Sequence, residues 1–364
     1  MKKIAIYFVV ALMAVAAVGC KNKAAKEEKA QMTDSQKLAL VKEFSEKALK
    51  TVMGGDPSFL NNSVDTLALK ELVSRKSSAL DIGAGMEIFN GNCRYGDYML
   101  DIVNAGGNFR FDTCYVKDKH YHLVLRTYDE DGSLQFDDLQ LNFKNGKVVI
   151  EDAFIYSLTA NLSDKIASET TLNVFMTIEN PTEAAKNMIT VSALCQHQDY
   201  AQMFQLLNEQ KTQLQEFTDY YKFYPIGLYE CSKNFVADLE KLRDENVDER
   251  FILYHKLCYY IGQADVDATY STIVELMNYT GDDPIYWVLY AQALTAAKNY
   301  RDALIAYNTA KQGMDYIWDI WVGELQCYAR LGDKETFDNC LGAGKNLYGM
   351  KDEELAELAA KIVR

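Results

Sequence analysis

Few residues in this chain are of a type and spacing that could carry chemistry. His120 and His122 stand two apart and so share one face of a strand. A divalent metal can use that spacing, and Asp112 on a neighbouring strand could join as a third ligand. The pair also adjoins a hairpin turn, where solvated histidines are common. The expectation is therefore no metal, with His120, His122 and Asp112 as the weak alternative set. His197 falls in a turn between helices and His255 inside a helix, and both read as structural. No G-x-S-x-G, H-E-x-x-H, Walker A or dinucleotide fingerprint occurs. Gly83-Ala84-Gly85 lacks a preceding strand and a third glycine. Asp129-Glu130-Asp131 and Asp282-Asp283 lack the spaced ligands of an EF-hand and read as solvated turns. The expectation is no catalytic set, no cofactor and, on balance, no enzyme.

Of the 8 cysteines, one has a context of its own. Lys2 and Lys3 precede an apolar run from Ile4 to Val18 that ends at Gly19-Cys20. That run falls short of the roughly 20 residues of a membrane helix and reads as a secretory leader. Ala17-Val18-Gly19-Cys20 resembles the lipobox of bacterial lipoproteins, with Ala17 where the family more often has Leu. The resemblance implies lipid on Cys20, a leader over 1–19 and membrane attachment through that residue. Residues 20–32, rich in Lys, Ala and Glu, then read as a tether. The other cysteines show no CxxC spacing. Five of them lie in helical patterns as small apolar side chains, and Cys93 and Cys114 are the pair that an oxidising compartment could bridge.

The elements that must position any site follow from length and pattern. With 364 residues, 49% of them apolar and 25% charged, the chain exceeds one compact core and folds. A net charge of -14 without a basic stripe disfavours nucleic acid as a partner. Over 33–160 the pattern is α+β. Thr33-Asp34-Ser35 opens a helix with apolar side chains at Leu38, Val41, Phe44, Ala48, Leu49 and Val52, and a second runs from Thr66 to Lys76. From Gly107 the period changes to two, and four strands follow as an antiparallel meander. Asn145-Gly146 marks a type I′ hairpin, and a change of apolar phase along the third strand implies a bulge near Asp137-Asp138. This element order resembles cystatin-like and nuclear transport factor 2-like domains, in which a curved sheet wraps a long helix. A small-ligand-binding or enzymatic role in that head is the alternative function which the resemblance implies.

Residues 161–182 read as a connector helix with Ser163 as a possible N-cap. Over 183–350 a repeat of about 34 residues takes over. Its clearest unit starts at Pro284, with Trp287, Tyr290, Leu294, Tyr300 and Tyr307 at the large positions and Ala291, Ala303 and Ala310 at the small ones. This resembles the tetratricopeptide (TPR) pattern. About five units start near 184, 218, 250, 284 and 318, and 351–364 caps the array. The expected fold is thus an α+β N-terminal domain, with helices plus a four-stranded antiparallel sheet, followed by an all-α TPR-like solenoid. The TPR resemblance places Phe251, Tyr254, Cys258, Ile285, Val288 and Gln292 along a concave groove. The reading that follows is a non-enzymatic scaffold whose groove holds another envelope protein or a peptide. The whole resembles envelope lipoproteins of Bacteroidota, anchored in the outer membrane by preference and facing the periplasm or the cell surface.

Overall fold

A computed structural model describes residues 32–77, 85–129, 132–177, 181–314 and 317–363. Cys20, the leader and nearly all of the tether lie outside the described residues. Phe44–Arg364 form one compact unit, which contains both the sheet and the helical region. Among the described residues, no helix is long and apolar enough to cross a membrane.

The head opens with α1 (Asp34–Met53), a single-turn α2 (Ser58–Asn61), α3 (Thr66–Lys76), α4 (Gly85–Asn92) and α5 (Tyr95–Asn104). Asp65 caps α3 by accepting from Ala68 N. The sheet follows as β1 (Asn108–Lys117), β2 (His120–Tyr128), β3 (Leu134–Lys144), β4 (Lys147–Ile155) and a short β5 (Ala160–Asn161), antiparallel in chain order. Asn145 and Gly146 take φ of 53° and 74°, as a type I′ turn requires. The fifth strand is an addition to the expected four.

The expected bulge at Asp137-Asp138 is not there. β2 and β3 pair without a break from Tyr121↔Leu141 to Tyr128↔Leu134. The register shifts lie instead between Phe111 and Cys114 of β1 and beside Gln140-Leu141 in the β3–β4 ladder. The change of apolar phase has another cause. Both faces of the sheet are buried, so apolar residues occur on either face and the alternation carries no single sign. On one face Phe111 meets Phe44 of α1, with ring centroids 6.1 Å apart, and α3, α5 and α6 (Leu162–Thr177) cover the rest. On the other, Val124, Tyr128, Leu134, Phe136 and Tyr156 join the core of the helical region.

The helix α6 belongs to the head more than to a connector, because it packs on α3, α4, β4 and β5. Ser163 is not its cap. Its hydroxyl lies inside the first turn and donates to Asp152 Oδ2 at 2.6 Å. The helical region then runs in pairs: α7 (Glu183–Gln196) with α8 (Tyr200–Glu209), α10 (Asp219–Cys231) with α11 (Phe235–Glu240), and α12 (Glu249–Gly262) with α13 (Val266–Thr280). Next come α14 (Ile285–Ala296) with α15 (Tyr300–Ala310) and α16 (Trp318–Leu331) with α17 (Lys334–Tyr348), closed by α18 (Asp352–Val363). A single-turn α9 (Lys211–Leu214) follows α8, and the second pair finishes in a 3-10 turn over Lys241–Glu245.

One turn recurs between paired helices. Gln198, Ala264, Lys298 and Gly332 all have positive φ, and an Asp or Asn follows each. Asp199, Asp265 and Asp333 cap the next helix through the backbone N–H three residues on, at 3.1–3.2 Å. First helices pack on first helices, α12 on α14 and α14 on α16. A small residue also lets α16 approach α15: a Cβ on Gly323 would sit 2.3 Å from the Tyr307 ring.

Candidate functional site

Four of the residues expected to line an open groove, Tyr254, Ile285, Val288 and Gln292, meet the head, whereas Phe251 packs in a separate core of helical residues. Phe251, Ile285 and Val288 are fully buried, and Ile285 and Val288 share a core with Val124, Leu134 and Phe136 of the sheet. The Tyr254 hydroxyl donates to Leu134 O at 2.6 Å, and Gln292 Nε2 donates to the Tyr128 hydroxyl at 3.3 Å. Cys258 remains exposed. The sheet thus covers the part of that surface formed by Tyr254, Ile285, Val288 and Gln292.

Charge is buried along this seam. Arg126 on β2 reaches Asp283 at 2.8 Å with both side chains buried, and it also donates to Asn108 Oδ1. Nearby, burial and the charge of Asp283 push Asp112 up to about 8. Burial raises Asp138, but hydrogen bonds from His122 and Tyr115 and the Arg250 charge outweigh it and leave the carboxyl below its usual range. Arg250 donates to Asp138 at 2.8 Å and to Asp248 at 2.8 Å, and its guanidinium lies 4.0 Å from the Phe154 ring centre. The expected alternative metal set is thereby taken apart. His122 Nδ1 is 3.1 Å from Asp138, His120 meets Gln140 at 3.3 Å, and Asp112 belongs with Asp283 and Arg126. Among the described residues, no group of three or more His, Cys, Asp or Glu side chains could hold a metal. Cys93 and Cys114 are both free thiols. His255 packs against Phe251 and Tyr254, and burial pushes it down to about 4.

A pocket of about 370 Å³ opens on the opposite, helix-covered face, where α4, α5 and α6 meet β3 and β4. Its centre is Asp137. Adjacent strand residues point to opposite faces, so Asp137 enters this pocket while Asp138 enters the seam. Tyr95, the first residue of α5, donates to Asp137 Oδ2 at 3.3 Å, and Gln135 Nε2 donates to Oδ1 at 3.0 Å. Ile155 and Leu162 supply buried apolar wall, and Tyr98 stands 40% exposed at the mouth. On the rim Lys165 bonds Asn92 Oδ1 at 2.6 Å and pairs with Glu169, while Arg94 pairs with Asp97.

The electrostatics follow from that enclosure. Burial pushes Asp137 up to about 6, while the hydrogen bonds from Gln135 and Tyr95 and the Lys165 cation hold it from rising further. Burial and the charges of Asp137 and Asp129 push Tyr98 up to about 12. The pocket thus presents a carboxyl pushed up to about 6, two phenols and two amides beside an apolar wall. It can accept and donate hydrogen bonds, and Asp137 can hold or release a proton. Sequence reasoning missed this set. Its one signal is the Asp137-Asp138 pair in mid-strand, where the change of apolar phase suggests a bulge. Compared with known proteins, the chain matches no family model, no curated protein and no solved structure.

Proposed function

We propose that this chain is a bacterial envelope lipoprotein, anchored through Cys20, whose head binds a small polyhydroxylated ligand. In this reading the helical region is a TPR-like solenoid that braces the sheet rather than a scaffold for a partner along its concave face. The observation that carries the proposal is the convergence of Tyr95, Tyr98, Gln135 and Asp137 inside one concave space of the head. The rim charges already have partners, Lys165 with Glu169 and Arg94 with Asp97, so a strongly charged ligand finds little left to neutralise. Hydroxyl groups suit the remainder, because each one can donate to Asp137 and accept from an amide or a phenol. The exposed ring of Tyr98 offers an apolar face to the carbon side of such a ligand.

The anchor is supported by the Ala17-Val18-Gly19-Cys20 run and the charged tether after it. Replacing Cys20 by Ala is expected to move the protein from the membrane fraction to the soluble one. The ligand reading is tested by isothermal titration of the purified full chain with a panel of mono- and disaccharides at millimolar concentration. A saturable signal for at least one sugar is expected, and Asp137→Asn and Tyr98→Leu should each weaken it about tenfold or more. A panel that produces no binding, or binding indifferent to both substitutions, would remove the head pocket as the site. An acid–base reaction on the same ligand is the second reading, favoured by the upward shift of Asp137 to about 6.

A further inference from the structure

The outer side of the third and fourth helix pairs carries a second concavity, distinct from both the seam and the head pocket. It has a volume of about 380 Å³ and lies between α13 and α14. Tyr270, Trp287 and Tyr290 form its walls. Tyr270 and Tyr290 have ring centroids 5.4 Å apart and tilted by 55°, and Trp287 meets Tyr290 at 6.3 Å and 73°. Ile273, Val274 and Met277 add apolar lining, and the buried Tyr286 is tied to the Thr280 hydroxyl at 2.6 Å. Tyr270 is 48% exposed, and Trp287 and Tyr290 are half-buried, so the space opens to solvent on the Tyr270 side.

The lining of this space carries negative charge. Asp282 is its lining carboxylate, and no cationic side chain is among the described lining residues. Asp267 and Asp302 lie close enough to Tyr290 for their charges to act on its phenol. Aromatic faces carry negative potential, and the nearby carboxylates add to it. A neutral apolar ligand would use the rings and waste the charges. A primary ammonium would require strong acceptors to replace its hydration shell. A quaternary ammonium suits both features, because its charge is spread over methyl groups that are inexpensive to desolvate and that contact the rings directly.

We propose that Tyr270, Trp287 and Tyr290 form an aromatic cage for a small soluble quaternary ammonium compound, with Asp282 supplying the counter-charge. The proposal does not depend on the ligand assigned to the head. Isothermal titration of the full chain with choline, and in parallel with its neutral isostere 3,3-dimethylbutan-1-ol, separates charge from shape. Choline is expected to bind at least about tenfold more tightly than the isostere. Tyr270→Leu, at an exposed position that tolerates substitution, should weaken choline about fivefold or more, and Asp282→Asn about two- to threefold. Equal affinity for choline and the isostere would overturn the proposal, as would choline binding unchanged in Tyr270→Leu. Phosphatidylcholine vesicles supply the same headgroup on a membrane. Capture by those vesicles without measurable affinity for free choline would overturn the assignment to a soluble ligand.

Discussion

Asp137 and Asp138 are neighbours in sequence and opposites in chemistry. Asp138 is held ionised by His122, Tyr115 and Arg250, whereas burial lifts Asp137 to about 6. A carboxyl raised in the folded state contributes stability that is fully present below its unfolded value, near 3.8, and lost as pH rises through about 6. Asp137→Asn removes that dependence. Relative to the parent protein, the variant should gain about 1–3 kcal/mol between pH 4 and pH 7.5, read from urea unfolding at both values. A difference that stays constant across the range would show that Asp137 titrates as an ordinary carboxyl. Arg126 offers the complementary test. Arg126→Met leaves Asp283 buried without its cation, and a loss of about 3–5 kcal/mol in the same assay is expected. A loss below 1 kcal/mol would mean that water reaches the pair.

At the scale of elements, β1 and the turn after α13 approach closely. Gly281 has a φ of 83°, and a Cβ there would sit 2.1 Å from Thr113 Oγ1. Gly281→Ala should therefore cost about 1–3 kcal/mol through strain and overlap together. Pairing it with Thr113→Ala should recover the steric part in a double-mutant cycle. A coupling energy near zero would place the turn away from β1. The helix pairs were legible in sequence because their spacing follows local rules. An Asp or Asn cap after a residue of positive φ recurs at Asp199, Asp265, Asn299 and Asp333. The β3 bulge was misread because a period-two argument assumes one buried face, and this sheet has two.

For the whole molecule the consequence is cooperativity. Val124, Phe136 and Tyr156 of the head share a core with Leu289, Leu294 and Tyr307 of the helices. Strands and helices that share a core should open together, so amides of β2, β3 and α14 should exchange with a common, global free energy. Hydrogen exchange read by residue checks this directly. Protection that persists in α14 after the strands have exchanged would show two independent domains. The same shared core holds Ile285 and Val288, two of the six residues expected along a groove. A repeat pattern specifies which side chains point inward along the array, but not what stands opposite them.

By itself the sequence determined what rests on near neighbours. The helix and strand periods, the Asn145-Gly146 hairpin, the turns between paired helices and the change from an α+β head to helical pairs all depend on residues a few positions apart. Tertiary structure alone decided that Asp137 meets Tyr95, that Asp138 meets Arg250, and that Tyr254 spends its hydroxyl on Leu134. Those partners lie between 42 and 120 residues apart in the chain. The side of the sheet on which a carboxylate falls, and the element packed over that side, settle whether it is an ion-pair partner or a titrating group in a pocket. Burial and neighbouring charge set that outcome, and both are properties of the assembled layers rather than of the strand.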